Sequence, residues 1–342
     1  MPARPLSNQA ESGATAQRSE GESRHPPDLS VTAVIPSLSG GPTLVRLVRA
    51  LTQANESLKV IVADNGLPPD TRSLLEETRA EVVTMGRNLG FGAAVNRAAG
   101  LARTDVLVVL NDDIEPLPGF LEALVAPLAG QADMVAGVLL QERSPGLIET
   151  AGVVLDRTLV GADYLQNEPA DRLDEPLPPP FGPSGGAAAY RLAAFLEVGG
   201  FDENFFAYFE DVDLAIRLRA AGAVCVLAPC ARALHAGSGT LGYRSLAKAN
   251  LVGFSRGYLL RKYRVLRGVR SAPAAVAVEA VAVLLLARQH RSLEPGVARV
   301  RGWRSCDTRA LPPPDSDITV GLRDAWRRRY VRSRLQASTA AP

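Results

Sequence analysis

Cysteine is scarce in this chain of 342 residues: only Cys225, Cys230 and Cys306. So few, at such irregular spacing, exclude a disulfide framework and a structural zinc site, and a reducing cytosol fits best. The N-terminal residues lack the basic-then-apolar order of a signal peptide. No run reaches the roughly 18 uncharged apolar residues of a spanning helix. A cytoplasmic protein without a membrane span is therefore expected, and no internal repeat points to a solenoid.

What is present is an ordinary globular composition, 46% hydrophobic, with an unusual distribution of charge. The formal net charge is +2, yet residues 240–342 hold 20 Lys/Arg against 6 Asp/Glu, and the rest holds 18 against 30. An acidic body with a basic tail suggests a polyanionic surface as partner, membrane or nucleic acid. No recognised nucleic-acid-binding module or interleaved aromatic pattern accompanies the charge, so nucleic acid is the weaker of the two.

Residues 1–28 are polar, rich in Ser, Glu, Pro and Gly, and read as a disordered segment. From there VTAVIP (31–36), KVIVAD (59–64), EVVTM (81–85) and VLVVL (106–110) read as short strands, near-continuously apolar as in a buried parallel sheet. Helical patterns at about 43–54, 70–78 and 91–101 separate them. This alternation predicts an α/β fold: a doubly wound, mostly parallel sheet with helices on both faces and ligands at the carboxyl ends of its strands. Further on, 121–129 reads as helix, 133–141 and 184–191 as strands, and 192–198 as helix. A helix opens at Glu210 and ends at Gly222, and a last strand at 223–228 leads to His235. The Pro-rich stretch 156–183 is long enough to be a lid or binding loop. Three parts follow: 1–28, a catalytic body at 29–242, and a basic, mainly helical extension at 243–342. In that extension 245–267 reads as a basic amphipathic helix, 273–287 as an apolar stretch cut by Glu279, and 326–330 as the start of another basic helix.

Two acidic clusters carry the chemistry. Asn111-Asp112-Asp113 follows a strand, and hard oxygen ligands there suit Mg²⁺ or Mn²⁺ on a diphosphate. The plainer account is a turn, which Asn and Asp favour. Glu210-Asp211 opens a helix behind Phe205, Phe206, Tyr208 and Phe209, as suits a base working beside a bulky ligand. The plainer account is acid at a helix N-terminus, worth about 0.3–1 kcal/mol. The same helix end should keep that carboxylate ionised at neutral pH. Gly90 and Gly92 precede a helix, so their amides could face a phosphate or ribose, although a tight turn explains them equally. Asp64-Asn65-Gly66 is a turn or an acceptor for a nucleobase or ribose, and His235 in ALHAGSG is structural or a ligand.

In order along the chain these are Asp64, Asn88-Leu89-Gly90-Phe91-Gly92 with Asn96, Asn111-Asp112-Asp113, Gly185-Gly186, Gly199-Gly200-Phe201-Asp202-Glu203, Glu210-Asp211-Val212-Asp213 and His235. Together they closely resemble glycosyltransferase family 2, in its rhamnosyltransferase-like branch, from about 31 to 240. The run FDENFFAYFEDVDLAIRLRAAG is the most specific part. The resemblance implies a GT-A fold and transfer of a sugar from a nucleotide diphosphate with inversion. It implies Asp211 as general base with Glu210 orienting the acceptor, and Asp113 with His235 as metal ligands for Mg²⁺ or Mn²⁺. Asp64, Asn88, Gly90, Asn96, Asp112, Gly185 and Gly186 would line the nucleotide-sugar site. Three departures bear on donor preference: the uncharged Asn111, the strand end Pro36-Ser37-Leu38-Ser39, and the small residues of AAAYR (187–191).

The expected function is inverting transfer, with L-rhamnose from its dTDP-activated form as donor and a cell-envelope glycan or lipid-linked hydroxyl as acceptor. The basic tail would touch the inner face of the cell membrane, each Lys or Arg near anionic lipid contributing about 1 kcal/mol, or would be a solvated or self-associating extension. Within the class, a UDP-hexose or galactofuranose donor is the rival. Nucleotidyl transfer would call for a Gly-rich basic loop after the first strand, and SLSGGPTLVR (37–46) holds no lysine. A silent scaffold would have no need of Asp113, Asp211 and His235 together.

Overall fold

Apolar runs of five to seven residues with every position buried begin the architecture: β1 (Val31–Ser37) is buried throughout, as is the VLVVL strand. The computed structural model describes residues 29–236, 245–268 and 271–307. The expectations for residues 1–28, Gly237, Gly239 and 326–330 lie outside them. After β1 come α1 (Pro42–Ala54), β2 (Lys59–Asp64), α2 (Pro69–Glu76), β3 (Glu81–Thr84), α3 (Phe91–Ala99), β4 (Val106–Leu110) and β5 (Ile114–Pro116). Then follow α4 (Phe120–Val125), β6 (Met134–Gln141), β7 (Ser144–Thr150), β8 (Val153–Leu155), β9 (Gly161–Asp163), β10 (Ala187–Arg191) and α5 (Leu192–Glu197). The chain continues with α6 (Glu210–Ala220), β11 (Cys225–His235), α7 (Leu246–Lys262), α8 (Ser271–His290) and α9 (Glu294–Ser305).

The central sheet runs β3-β2-β1-β4-β10-β6-β11-β5, with β7 beside β6. Strands β3, β2, β1 and β4 are parallel, as their apolar runs imply. Beyond them the sheet is mixed: β10 is antiparallel to both β4 and β6, β11 is parallel to β6, and β5 is antiparallel to β11. Alternation along the strands sends side chains to two cores. On one face Val60, Val62, Val108 and Leu110 meet Leu44, Leu47 and Val48 of α1 and Leu124 of α4. On the other, Ile61, Leu107 and Val109 meet Ala94, Val95 and Ala98 of α3 and Leu214 and Leu218 of α6. Helices thus cover both faces, as expected.

Three expectations are corrected. The last strand does not stop at 228. It passes an irregularity between Leu227 and Arg232 and ends at His235, paired with Ile114. The 156–183 stretch is not a free lid. It holds β9 and a 3₁₀ turn at Ala170–Asp174, and buries Tyr164, Leu165 and Leu173 against Ile148 and Val154. Its end is pinned by Arg219, whose Nε donates to Phe181 O at 2.5 Å.

The extension expected as a separate part at 243–342 packs on the body through its described residues. Helix α7 buries Tyr258, Leu259 and Tyr263 against Val212, Ala215 and Ile216 of α6. Two of its basic residues are not solvated: Arg256 and Lys262 are buried, engaged by Glu279 and by Asp202 and Asp213. Helix α9 lies against α7 at backbone distance, since a Cβ on Gly257 would fall 1.9 Å from Arg299 O, and one on Gly302 1.9 Å from Phe254 O. Lastly, the apolar stretch read as short is one 20-residue helix, α8, with mean hydropathy 1.7. By length and composition it is long and apolar enough to cross a membrane.

Candidate active site

Strand β4 ends where three later elements meet it. The pairing of Ala187 with Leu110 brings Gly186 against Asn111, and Asn111 N donates to Gly186 O at 3.1 Å. Ser37, at the end of β1, donates its hydroxyl to Asp112 Oδ2. Burial pushes the Asp112 carboxyl up, and that hydrogen bond works against it. Asp113 Oδ1 lies 3.0 Å from His235 Nε2, and the other ring nitrogen lies 2.9 Å from Glu149 Oε2 on β7. Burial opposes the charged imidazole, but hydrogen bonds and charge from Asp113 and Glu149 prevail and lift His235 to about 10.

Asp113 and His235 offer one hard carboxylate and one imidazole side by side. No group of three or more His, Cys, Asp or Glu side chains suited to a metal occurs among the described residues. Two protein donors fit a divalent cation whose remaining ligands are substrate phosphates and water. An ion held there would displace the imidazole proton, as metal binding to His requires.

The start of α6 faces this strand end. Tyr208 and Phe209 both have φ of 69°, a left-handed conformation costing roughly 1–2 kcal/mol per residue. This strained turn delivers Glu210 and Asp211. Asp211 Oδ2 accepts from Gly185 N at 3.3 Å and Oδ1 from its neighbour Val212 N at 2.8 Å. Glu210 is buried, and its Oε2 has no hydrogen-bond partner among the described residues. Burial first, and the Asp211 charge second, push Glu210 up to about 8, and burial raises Asp211 as well. Desolvation thus works against the ionised carboxylate expected at this helix N-terminus, most strongly at Glu210.

The remaining candidates fall in two groups. Asp64 is buried, accepts from Gly66 N and Leu67 N at 2.9 and 2.7 Å, and pairs with Arg72 at 2.6 Å. Asn65 grips the next segment, donating to Gly90 O and accepting from Leu89 N. Asn88 accepts from Gly90 N, and Phe91 N donates to Phe206 O. Of the two amides that could have faced a phosphate or ribose, that of Gly90 is thus bonded inside the protein, as the alternative of a tight turn has it. Gly90 has φ +86, and a Cβ there would sit 2.3 Å from Phe206 O. Asn96 donates to Phe201 O and accepts from Phe201 N, both at 2.8 Å. Gly90 and Asn96 therefore hold the loop that leads into α6. Asn88 and Asn96 also line an open recess of about 660 Å³ with Arg87, Arg97, Glu203 and Phe206.

The family model for glycosyl transferase family 2 matches residues 32–152. The N-acetylglucosaminyl-diphospho-decaprenol L-rhamnosyltransferase of Mycobacterium tuberculosis is 34% identical over 244 residues, 60% of this chain and 75% of that one. The chain belongs to glycosyltransferase family 2. A further relative, the O-antigen biosynthesis protein RfbC of Myxococcus xanthus, is 31% identical over 209 residues, 56% of this chain and 16% of that one. Among solved structures, the mannosyltransferase PcManGT from Pyrobaculum calidifontis, with GDP-Man and Mn²⁺, aligns with a TM-score of 0.51 at 16% identity, over 82% of this chain and 89% of its own. GalNAc-T7 with UDP, GalNAc and Mn²⁺ gives 0.51 at 15%, over 70% and 52%. At such identities the likeness establishes the shared GT-A-type fold.

This glycosyltransferase uses residues that its sequence did not flag. Glu149 is a lone acid in SPGLIET, with no motif around it. Ser37 stood out only as a departure from the family pattern, and in the structure it is the group that holds Asp112. Asp202 and Asp213 lay inside the recognised run, but their partner Lys262 lies in the tail.

Proposed function

We propose that this glycosyltransferase moves L-rhamnose from dTDP-L-rhamnose, with inversion, to a hydroxyl of a lipid-linked cell-envelope glycan at the cytosolic face of the membrane. The observation that carries the reading is the Gly185-Gly186 turn. Gly185 N holds Asp211, the next residue's carbonyl holds Asn111, and so base and acidic triplet are fixed to adjacent residues. The similarity to the mycobacterial L-rhamnosyltransferase supports the donor and the class of acceptor.

Asp211 is the base. Burial raises its pKa, which makes it a stronger base than an ordinary carboxylate. It takes the proton of the acceptor hydroxyl as that oxygen bonds to the anomeric carbon, and the bond to the diphosphate breaks on the opposite side. Protonated Glu210 donates a hydrogen bond to the acceptor and orients it. Asp113 and His235 would hold Mg²⁺ or Mn²⁺, which would supply positive charge to the diphosphate, and the imidazole would favour Mn²⁺. Asp64, Asn88, Asp112 and the Gly185-Gly186 backbone line the donor side.

Thermal stabilisation by a panel of nucleotide sugars with Mg²⁺ or Mn²⁺ tests this. A metal-dependent shift with dTDP-L-rhamnose that Asp113→Ala removes is expected. A shift with a UDP-hexose or UDP-galactofuranose instead would keep the class and discard rhamnose. No shift with any donor would favour a silent homologue.

A further inference from the structure

Helix α8 presents an unusual surface. Val281, Leu284 and Leu285 are exposed at helical spacing on one face, and Val276 is exposed nearer the start of the helix. Leu284 is 69% exposed and Val276 56%. The following helix continues the apolar surface, with Val297 and Val300 also exposed. Soluble monomers rarely leave contiguous apolar faces of this kind open to water. The exposed charges of this hairpin are mostly basic: Arg288, Arg291, Arg301 and Arg304 against Glu294 and Asp307.

The inner side of the hairpin is fastened to the body. Glu279, near the middle of α8, receives Arg256 Nε at 2.6 Å from α7 and Arg299 Nε at 2.8 Å from α9. Arg256 is itself buried and donates to the carbonyls of Thr158 and Leu159, both at 2.5 Å. A helix crossing a bilayer would carry Glu279 to the hydrocarbon centre or tear it from both arginines. The close backbone contacts of α9 with α7 would be lost as well.

We infer that the outer face of the α8–α9 hairpin lies in the plane of an anionic lipid surface, its apolar stripe in the headgroup boundary and its arginine margin on the phosphates, without spanning. This is the geometry of an interfacial helix, and the rim's positive charge matches anionic headgroups.

The test is flotation of the full chain with vesicles of phosphatidylglycerol and phosphatidylcholine, against phosphatidylcholine alone. Every readout is binding, so a failure of sugar transfer is scored separately. Flotation with the anionic vesicles only, release by alkaline carbonate, and at least a tenfold loss in Leu284→Glu/Val297→Glu with unchanged melting temperature would bear the inference out. Should that variant misfold, Arg288→Glu/Arg301→Glu reads the same surface through charge and should lose flotation equally. No flotation, or flotation that both variants keep, overturns it. Resistance to carbonate overturns it in favour of a span. A dimer in solution that Leu284→Glu/Val297→Glu separates, without lipid binding, overturns it in favour of a second copy of the chain.

Discussion

Replacing Lys262 by methionine should unfasten the C-terminal helices from the catalytic body. Lys262 Nζ lies 2.6 Å from Asp202 Oδ2 and 2.6 Å from Asp213 Oδ1, in a site only 5% exposed at the lysine. Methionine fills much of the stem's volume but leaves two buried carboxylates short of a cation. Removing one partner of a buried ion pair costs about 3–5 kcal/mol. Asp213 keeps Arg217 at 2.8 Å and the Tyr263 hydroxyl at 2.8 Å, which sets the loss towards the lower figure. At roughly 2–3 °C per kcal/mol for a chain of this size, the melting temperature should fall by about 6–10 °C. The loss should depend on pH. Burial pushes the Asp202 carboxyl up, and the hydrogen bond and charge of Lys262 more than reverse this, leaving it below its ordinary 3.8. A depressed carboxylate contributes stability above its unfolded pKa and loses it as pH falls through the folded one. Without Lys262 that contribution disappears, so the deficit should be full from neutral pH down to about pH 4 and shrink only below it, as the pH falls through the lowered Asp202 value. Asp202→Asn in the Lys262→Met background should restore part of the loss. Thermal melts at about pH 3 and pH 7.5 decide the matter. An unchanged melting temperature, or an equal deficit at both pH values, would refute the claim that this buried cation joins tail to body.

Asp211→Asn should lower transfer by roughly 10²–10⁴-fold while leaving stabilisation by donor and metal intact, as measured by product formation beside thermal shift. If it acts as the base, no added acceptor will rescue it. Glu210→Gln should stabilise the protein in a pH-dependent way. The folded state keeps a proton up to about 8 that the unfolded chain releases near 4.5, so wild-type stability falls as pH rises through that window. The variant's advantage in melting temperature should therefore grow from pH 5 to 8, and a constant difference would show that Glu210 does not titrate there. Gly90→Ala places a Cβ 2.3 Å from Phe206 O at φ +86. It should cost about 2–3 kcal/mol by strain and overpacking, and an unaltered melt would mean that the loop before α6 moves aside freely.

The parts of this protein that could be read from sequence are those whose chemistry is local. β1, β2 and β4 announce themselves because a strand buried on both faces must be apolar throughout, and VLVVL is so. Asp113 and Asp211 were found because strand and helix ends place them in a recognisable order. What escaped depended on a distant partner. β7 carries exposed Ser144, Pro145 and Gly146, so SPGLIET gives no strand signal, and Glu149 acquires meaning only when β11 extends to bring His235 beside it. The sign of a charge is visible in sequence, but its partner is not. Counting Lys262 and Arg256 as part of a basic surface assigned them to an outside polyanion, whereas Asp202, Asp213 and Glu279 neutralise them within. Glu279 shows the point most clearly. In sequence it interrupts an apolar run and argues against a membrane helix. In the structure it lies on the inner side of α8, bound by two arginines, and so leaves the opposite side of the same helix apolar and open. A single acid at mid-helix thereby decides which face is fastened to the enzyme and which is left exposed.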